Sequence, residues 1–251
     1  MLIVKFGGSA ITDKKRPYTY RWGRLRGAAS ALRGHKAILI HGAGSFAHPH
    51  VKAYGLTPIG IAATKAALRL QTAHVIEDLA AAGIYAMPIE PSDVFWGLEL
   101  ARREPIDAAL AAGMYPLLHG DVVPSDYGYV VISGDDIAVE LAKAYKPTAV
   151  VFLMDVDGIY TAEPGTPGAV KLREVNEAVV GGAAGIDVTG GVAKKVEAAL
   201  AVAKMGIPAY FCSIDDVEGL LEIISGGDPA TCTAARLAGG EASHGAAGGH
   251  I

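Results

Sequence analysis

Short apolar runs alternate with longer stretches of helical periodicity along nearly the whole chain, the pattern of a parallel sheet covered on both faces. Leu2-Ile3-Val4-Lys5-Phe6, Ala37-Ile38-Leu39-Ile40 and Ile84-Tyr85-Ala86-Met87 read as strands. So do Ala149-Val150-Val151-Phe152-Leu153 and Pro208-Ala209-Tyr210-Phe211-Cys212. Between them the spacing predicts helices over 21–33, 61–82, 98–112, Ser133 to about Tyr145, 191–205 and 215–224. Ile61, Leu68, Val75, Ile76 and Leu79 recur on one side of the 61–82 helix, and its alanines make it a candidate apolar wall as well as plain core. Gly83 and Gly113 sit where helices commonly stop. Val122-Val123 and Tyr129-Val130-Val131-Ile132 flank the turn-rich Pro124–Gly128 stretch and predict a β-hairpin. No repeat or linker interrupts residues 1–238, which read as one domain, and the Gly/Ala/Ser/His mixture over 239–251 predicts a disordered tail.

Composition narrows the classes. The 251 residues are 51% hydrophobic and 19% charged, with a mean hydropathy of +0.31. Such a chain can bury a sizeable core, and wholesale disorder is excluded. No apolar run approaches the ~18–20 residues of a spanning helix. No leader-like series of basic, apolar and cleavage segments opens the chain, so a cytoplasmic location is expected. A net charge of −4 argues against a partner as polyanionic as nucleic acid. Cys212 and Cys232 have neither the number nor the spacing of a disulfide scaffold or a zinc site, and are expected as reduced thiols with no metal bound.

Two glycine turns carry the chemistry. His41-Gly42-Ala43-Gly44-Ser45-Phe46-Ala47-His48-Pro49 follows a strand. Its small residues let backbone N–H groups approach an anion, while His48 adds a titratable donor. Alone, it reads equally as a strand-to-helix turn with an incidental histidine. Lys5-Phe6-Gly7-Gly8-Ser9, with Lys14 beyond it, forms a second such turn flanked by cations, which suits the transferring end of a nucleoside triphosphate. The spacing is neither a Walker loop nor a dinucleotide fingerprint. Lys5, inside an apolar strand and just before glycines, is expected to point inward rather than snorkel to water. Asp136 is expected to start the helix that follows Ser133.

Taken with Ser133-Gly134-Asp135-Asp136, Asp155-Val156-Asp157-Gly158-Ile159-Tyr160 and Asp187–Val196, these turns resemble, in order and spacing, the amino acid kinase superfamily over residues 1 to about 225. Ile11-Thr12-Asp13-Lys14 and Gly44-Ser45-Phe46-Ala47-His48-Pro49 are most similar to its isopentenyl phosphate kinase branch. Ala43 and Ala47 stand where glycines are common there, and Val192 where methionine is frequent. The resemblance implies an α/β fold, an open αβα sandwich with a mainly parallel central sheet. An acceptor half would span about 1–145 and a nucleotide half about 146–238. It implies that Lys5, Lys14 and Lys195 reach the transferring phosphoryl group, with Lys195 favoured over Lys194, and that Asp135 orients the lysines. Gly7, Gly8, Ser9 and Gly44 would donate N–H groups to the nucleotide phosphates. Asp155, Asp157, Gly158 and Tyr160 would form the nucleotide-side loop, and Gly190 and Gly191 would admit the backbone of the closing helix. Gly42, Ala43, Ser133, Gly134 and His48 would hold the acceptor phosphate.

The implied cofactors are ATP and Mg²⁺, the implied acceptor is isopentenyl phosphate, and the implied assembly is a homodimer. A phosphate monoester loses its second proton near pH ~6, so this acceptor needs no general base. Uridylate, a fosfomycin-like phosphonate or a small acyl phosphate are the competing acceptors. A non-catalytic nucleotide-binding module is the competing class.

Overall fold

β1 (Leu2–Phe6) is buried at every position and lies between β2 (Ala37–His41) and β9 (Ala149–Met154), pairing with both in parallel. The computed structural model describes residues 1–177 and 191–237, apart from the side chain of His48. Gly190 and the tail at 239–251 therefore lie outside the described residues. The sheet has eight strands in the order β10, β12, β11, β9, β1, β2, β6, β3. On one side stand β6 (Tyr115–His119) and β3 (Ala86–Pro88). On the other stand β11 (Ala209–Ser213), β12 (Thr233–Ala235) and β10 (Glu174–Val175). Among the described residues of this sheet, only the β11–β12 pairing is antiparallel.

The central strands are apolar on both faces because helices cover both faces. Val4, Phe6, Leu39, Val151 and Leu153 pack beneath α2 (Arg26–Ala31), α4 (Pro58–Ala81) and α9 (Val217–Ile224). Ile3, Ile38, Ile40, Val150 and Phe152 pack beneath α6 (Glu104–Ala111), α7 (Gly134–Tyr145) and α8 (Gly191–Ala203). Each such side chain contributes roughly 1.5–3 kcal/mol on burial. Lys5 shares its face with Ile3, since strand side chains alternate, so its ammonium is directed beneath α7 and α8. The chain leaves β1 toward one face and β9 toward the other. The carboxyl ends of this neighbouring pair thus form a crevice of the kind in which open α/β sheets bind ligands.

The remaining elements are short helices and hairpins. α1 (Gly8–Ile11) and α3 (Gly44–Tyr54) begin at the two glycine turns. β7 (Asp121–Ser125) and β8 (Gly128–Ile132) form the expected hairpin. α7 starts as Asp136 predicts, through a capping box in which Ser133 and Asp136 exchange hydrogen bonds.

Three expectations are corrected. The stretch 98–112 is not one helix. After α5 (Pro91–Val94), a ribbon of β4 (Phe95–Trp96) and β5 (Glu99–Leu100) turns at Gly97, where φ is +59°, before α6 begins. Pro105 belongs to the first turn of a helix rather than its interior. The 21–33 helix shrinks to Arg26–Ala31 because the chain turns at Gly23, with φ +78°. Finally, Cys212 and Cys232 are not free thiols: they form a disulfide with a Cα–Cα separation of 4.6 Å. Antiparallel pairing of Phe211 with Thr233 sets the two cysteines side by side, a long-range register that spacing along the chain does not reveal.

Candidate active site

Lys5 comes from the carboxyl end of β1, Asp135 from the first turn of α7 and Lys195 from the first turns of α8. Lys5 donates to Asp135 Oδ1. Lys195 Nζ approaches Asp135 Oδ2 at 3.3 Å, so each carboxylate oxygen holds one lysine. Gly134 makes this possible, because a Cβ there would lie 3.0 Å from Lys5 Cε. Lys5 is only 4% exposed. Burial lowers its pKa to about 8, against the Asp135 charge that favours the ammonium, while the Lys195 charge adds to the lowering. For Asp135 burial alone acts to raise the pKa, but the Lys5 and Lys195 ammoniums outweigh it and hold the carboxyl below its usual value. Lys194 is exposed beside Asp136 and Glu140 on the outer groove of α7 and α8, which leaves Lys195 as the inward lysine.

The two glycine turns touch each other. Gly7 N–H is tied to Leu153 O at 2.7 Å, and Gly42 N–H to Phe6 O at 2.9 Å. A Cβ on Gly8 would sit 2.6 Å from Gly44 N, and one on Gly42 would sit 2.5 Å from Gly8 N. Side chains at these positions would force the turns apart. Gly44, at φ +51°, also lies where other residues are strained.

Asp155, just beyond β9, accepts from Ser9 Oγ at 2.8 Å and lies 3.7 Å from Lys14 Nζ. The structure therefore brings Ser9, Lys14 and Asp155 together at the mouth of the crevice. Asp157, Gly158 and Tyr160 belong to a neighbouring cluster. Tyr160 donates to Asp157 at 2.7 Å, Lys171 Nζ donates to Asp157 at 3.0 Å, and Thr233 and Lys171 flank Gly158. The hydrogen bond from Tyr160 leads the lowering of the Asp157 pKa.

His48 stands one turn into α3, whose start is the second glycine turn; its side chain is outside the described residues. Ser133 is occupied as the cap of α7. Leu68, Val75 and Leu79 are fully buried, so for these residues the apolar wall of α4 is plain core. Residues that sequence reasoning missed include Lys171, an isolated lysine with no motif around it. Thr12 was legible only as part of Ile11-Thr12-Asp13-Lys14. Among the described residues, Glu90, His119 and Asp121 are the one group with metal-ligating atoms within 4.8 Å of one another. Lys65 donates to Asp121 there and already supplies a cation.

The arrangement gathers three lysines and backbone N–H groups at the carboxyl ends of β1, β2 and β9. That is the equipment for stabilising charge on a phosphoryl group in transit. Comparison with known proteins points the same way. Over 208 residues, covering 78% of this chain and 84% of the relative, it is 33% identical to the isopentenyl phosphate kinase of Thermoplasma acidophilum. Identity to the isopentenyl phosphate kinase of Haloferax volcanii is 31%, covering 92% of this chain and 97% of that one. The crystal structure of an isopentenyl phosphate kinase substrate complex superposes with a TM-score of 0.80 at 28% identity, over 94% of this chain and all of that one. The model of the amino acid kinase family matches residues 1–213, and the chain belongs to that family.

Proposed function

We propose that this protein transfers the γ-phosphoryl group of ATP to isopentenyl phosphate, giving isopentenyl diphosphate and ADP. The observation that carries the reading is the pairing of Lys5 and Lys195 on one carboxylate beside two touching glycine turns. A site that only binds a nucleotide has no need of two lysines held in register by a buried acid. The relatives that match over most of this chain bear the name isopentenyl phosphate kinase, which favours a phosphate monoester as acceptor.

In this reading, an ionised oxygen of the acceptor phosphate attacks the γ-phosphorus as the bond to the β-γ bridging oxygen breaks. The electron pair stays with ADP. No proton has to be removed, because the monoester is already dianionic near neutral pH. Lys5 and Lys195 offset the charge gathering between the reactants, and Lys14 approaches from the open side. N–H groups of Gly8, Ser9 and Gly44 hold the donor, while Gly7, whose N–H is taken by Leu153 O, shapes the turn rather than donating as the resemblance implied. Those of Ala43 and Gly134, together with His48, hold the acceptor, and Gly42, whose N–H is taken by Phe6 O, lets the two turns approach. Catalysis is then alignment and preorganised charge. Asp155, Asp157, Gly158 and Tyr160, with Gly190 and Gly191, serve the nucleotide side.

Mg²⁺ would accompany ATP and would supply further positive charge. Both oxygens of Asp135 are engaged by lysines, so the partly exposed Asp155, together with the phosphates, would hold the ion. By the same resemblance, residues 1–145 form the acceptor half and 146–238 the nucleotide half of a cytoplasmic homodimer. Its product would enter isoprenoid synthesis by an alternative mevalonate route.

An acceptor panel with labelled ATP tests the reading. Isopentenyl phosphate should exceed uridylate, fosfomycin and acyl phosphates in kcat/KM by at least ~100-fold, about 2.7 kcal/mol of transition-state binding. Comparable or better turnover of any of the others overturns the assignment.

A further inference from the structure

We infer that Thr12 is a positioning residue that locks the donor turn to the acceptor turn; the inference rests on the reading given above. Thr12 is fully buried. Its hydroxyl donates to Gly8 O at 2.7 Å and accepts from Ser45 N–H at 3.0 Å. One oxygen atom thus bridges the turn after β1 and the turn after β2, using its proton on one side and a lone pair on the other.

The sequence creates a need for it. α3 begins with Ala43 as its N-cap, which has no side-chain oxygen and makes no capping bond. Helix starts leave N–H groups without intrahelical partners. Thr12, 33 residues earlier in the chain, supplies the missing cap to Ser45. The carbonyl of Ser45 is also unusual. Pro49 stands four residues on and has no N–H to give it, and Tyr18 N–H fills that place at 3.2 Å. The loop from Thr12 to Tyr18, which carries Lys14, therefore grips Ser45 at both its backbone groups.

Packing leaves the bridge little slack. A Cβ on Gly44 would lie 2.1 Å from Thr12 Oγ1, so the backbone of the acceptor turn rests directly against this side chain. In-line transfer demands that the two phosphate cradles keep a fixed separation, and a misplacement of ~1 Å costs on the order of 100-fold in rate. Thr12 sets that separation without touching either reactant.

Thr12→Val keeps the shape and removes both hydrogen bonds, whereas Thr12→Ser keeps the hydroxyl. The pair is assayed on whichever acceptor of the panel the wild type uses, with nucleotide affinity and melting temperature measured alongside. The expected result is a kcat at least ~10-fold lower in Thr12→Val, ATP affinity within about threefold of wild type, and recovery of at least half the wild-type kcat in Thr12→Ser. A purely structural role would lower the melting temperature and leave kcat per folded site unchanged; that outcome, or a Thr12→Ser as slow as Thr12→Val, overturns the inference. If Thr12→Val does not fold, Thr12→Ala takes its place, and Thr12→Ser must still keep half the wild-type rate. Failure of the wild type on isopentenyl phosphate would sink the acceptor assignment alone, since the variants are then read on the acceptor it does use.

Discussion

Lys5 and Asp135 stand 130 residues apart in the chain and share a hydrogen bond in which both partners are buried. A lysine removed from water in this way tends to lose its proton. Asp135 works against that tendency, and Lys195 on its other oxygen completes the set. Removing the carboxylate strands two cations, one of them deeply buried. Asp135→Ala should therefore lower folding stability by about 3–5 kcal/mol and abolish transfer. Denaturant melts of the single variant and of Lys5→Met/Asp135→Leu test this. The double variant should regain most of the stability and none of the activity.

The same pair predicts a pH profile. Burial places the Lys5 pKa at about 8, below the 10.5 of an unhindered lysine. Between those values the unfolded chain holds a proton that the folded chain has released. The contribution of Lys5 to stability accordingly rises with pH across this window, as the cost of burying its charge disappears. Activity moves the opposite way, because a neutral amine cannot offset phosphoryl charge. kcat/KM should fall along an alkaline limb centred near pH 8, and the limb in kcat should lie higher, since bound phosphates favour the ammonium. Lys5→Arg should remove the limb whatever rate remains.

Lys14 lies at the mouth of the site, its side chain 69% exposed and 3.7 Å from Asp155. Exposed pairs of this kind add little to stability. Lys14→Ala should leave the melting temperature unchanged and lower kcat by ~10-fold or more, a loss of at least ~1.4 kcal/mol of transition-state stabilisation. An unchanged rate would remove Lys14 from the reaction.

His48→Ala should separate the two substrates. With His48 on the acceptor side, kcat/KM for the acceptor should drop by ~100-fold, while ATP affinity, read by calorimetry without acceptor, stays within twofold. Parallel loss of both would contradict an acceptor-side role.

The Cys212–Cys232 bond closes a stretch with a sequence separation of 20. Loop-closure entropy gives such a bond about 3 kcal/mol of stability. Reduction, or Cys212→Ala, should lower the denaturation midpoint accordingly. A thiol titration of the untreated, unfolded protein should find no free cysteine.

Much of this was legible in the chain. The apolar runs gave the central strands, and the inward position of Lys5 followed from its place among them. The meeting of Lys5, Asp135 and Lys195 is implied by the resemblance, and the geometry supplies its cause: β1 ends, and α7 and α8 begin, at one point of the sheet. What escaped depends on contacts distant in sequence. The antiparallel register of β11 and β12 that joins the cysteines has no local signature. Lys171 reaches Asp157 only because a loop folds back beside β12. Thr12 stands in the Ile11-Thr12-Asp13-Lys14 motif with no separate role legible there, since its two partners lie on different turns. The 98–112 stretch differs from one helix because its first residues leave the Gly97 turn as a strand, and the helix starts only at Glu104, with Pro105 in its first turn.

The central claim is that phosphate, already ionised, is the group phosphorylated. Phosphorus NMR of the protein with ATP, Mg²⁺ and isopentenyl phosphate tests it in one tube. The account predicts that the monoester resonance is replaced, in step with ADP formation, by the coupled pair of a diphosphate. ADP accompanied only by inorganic phosphate, or an unchanged monoester signal while ATP persists, would contradict it.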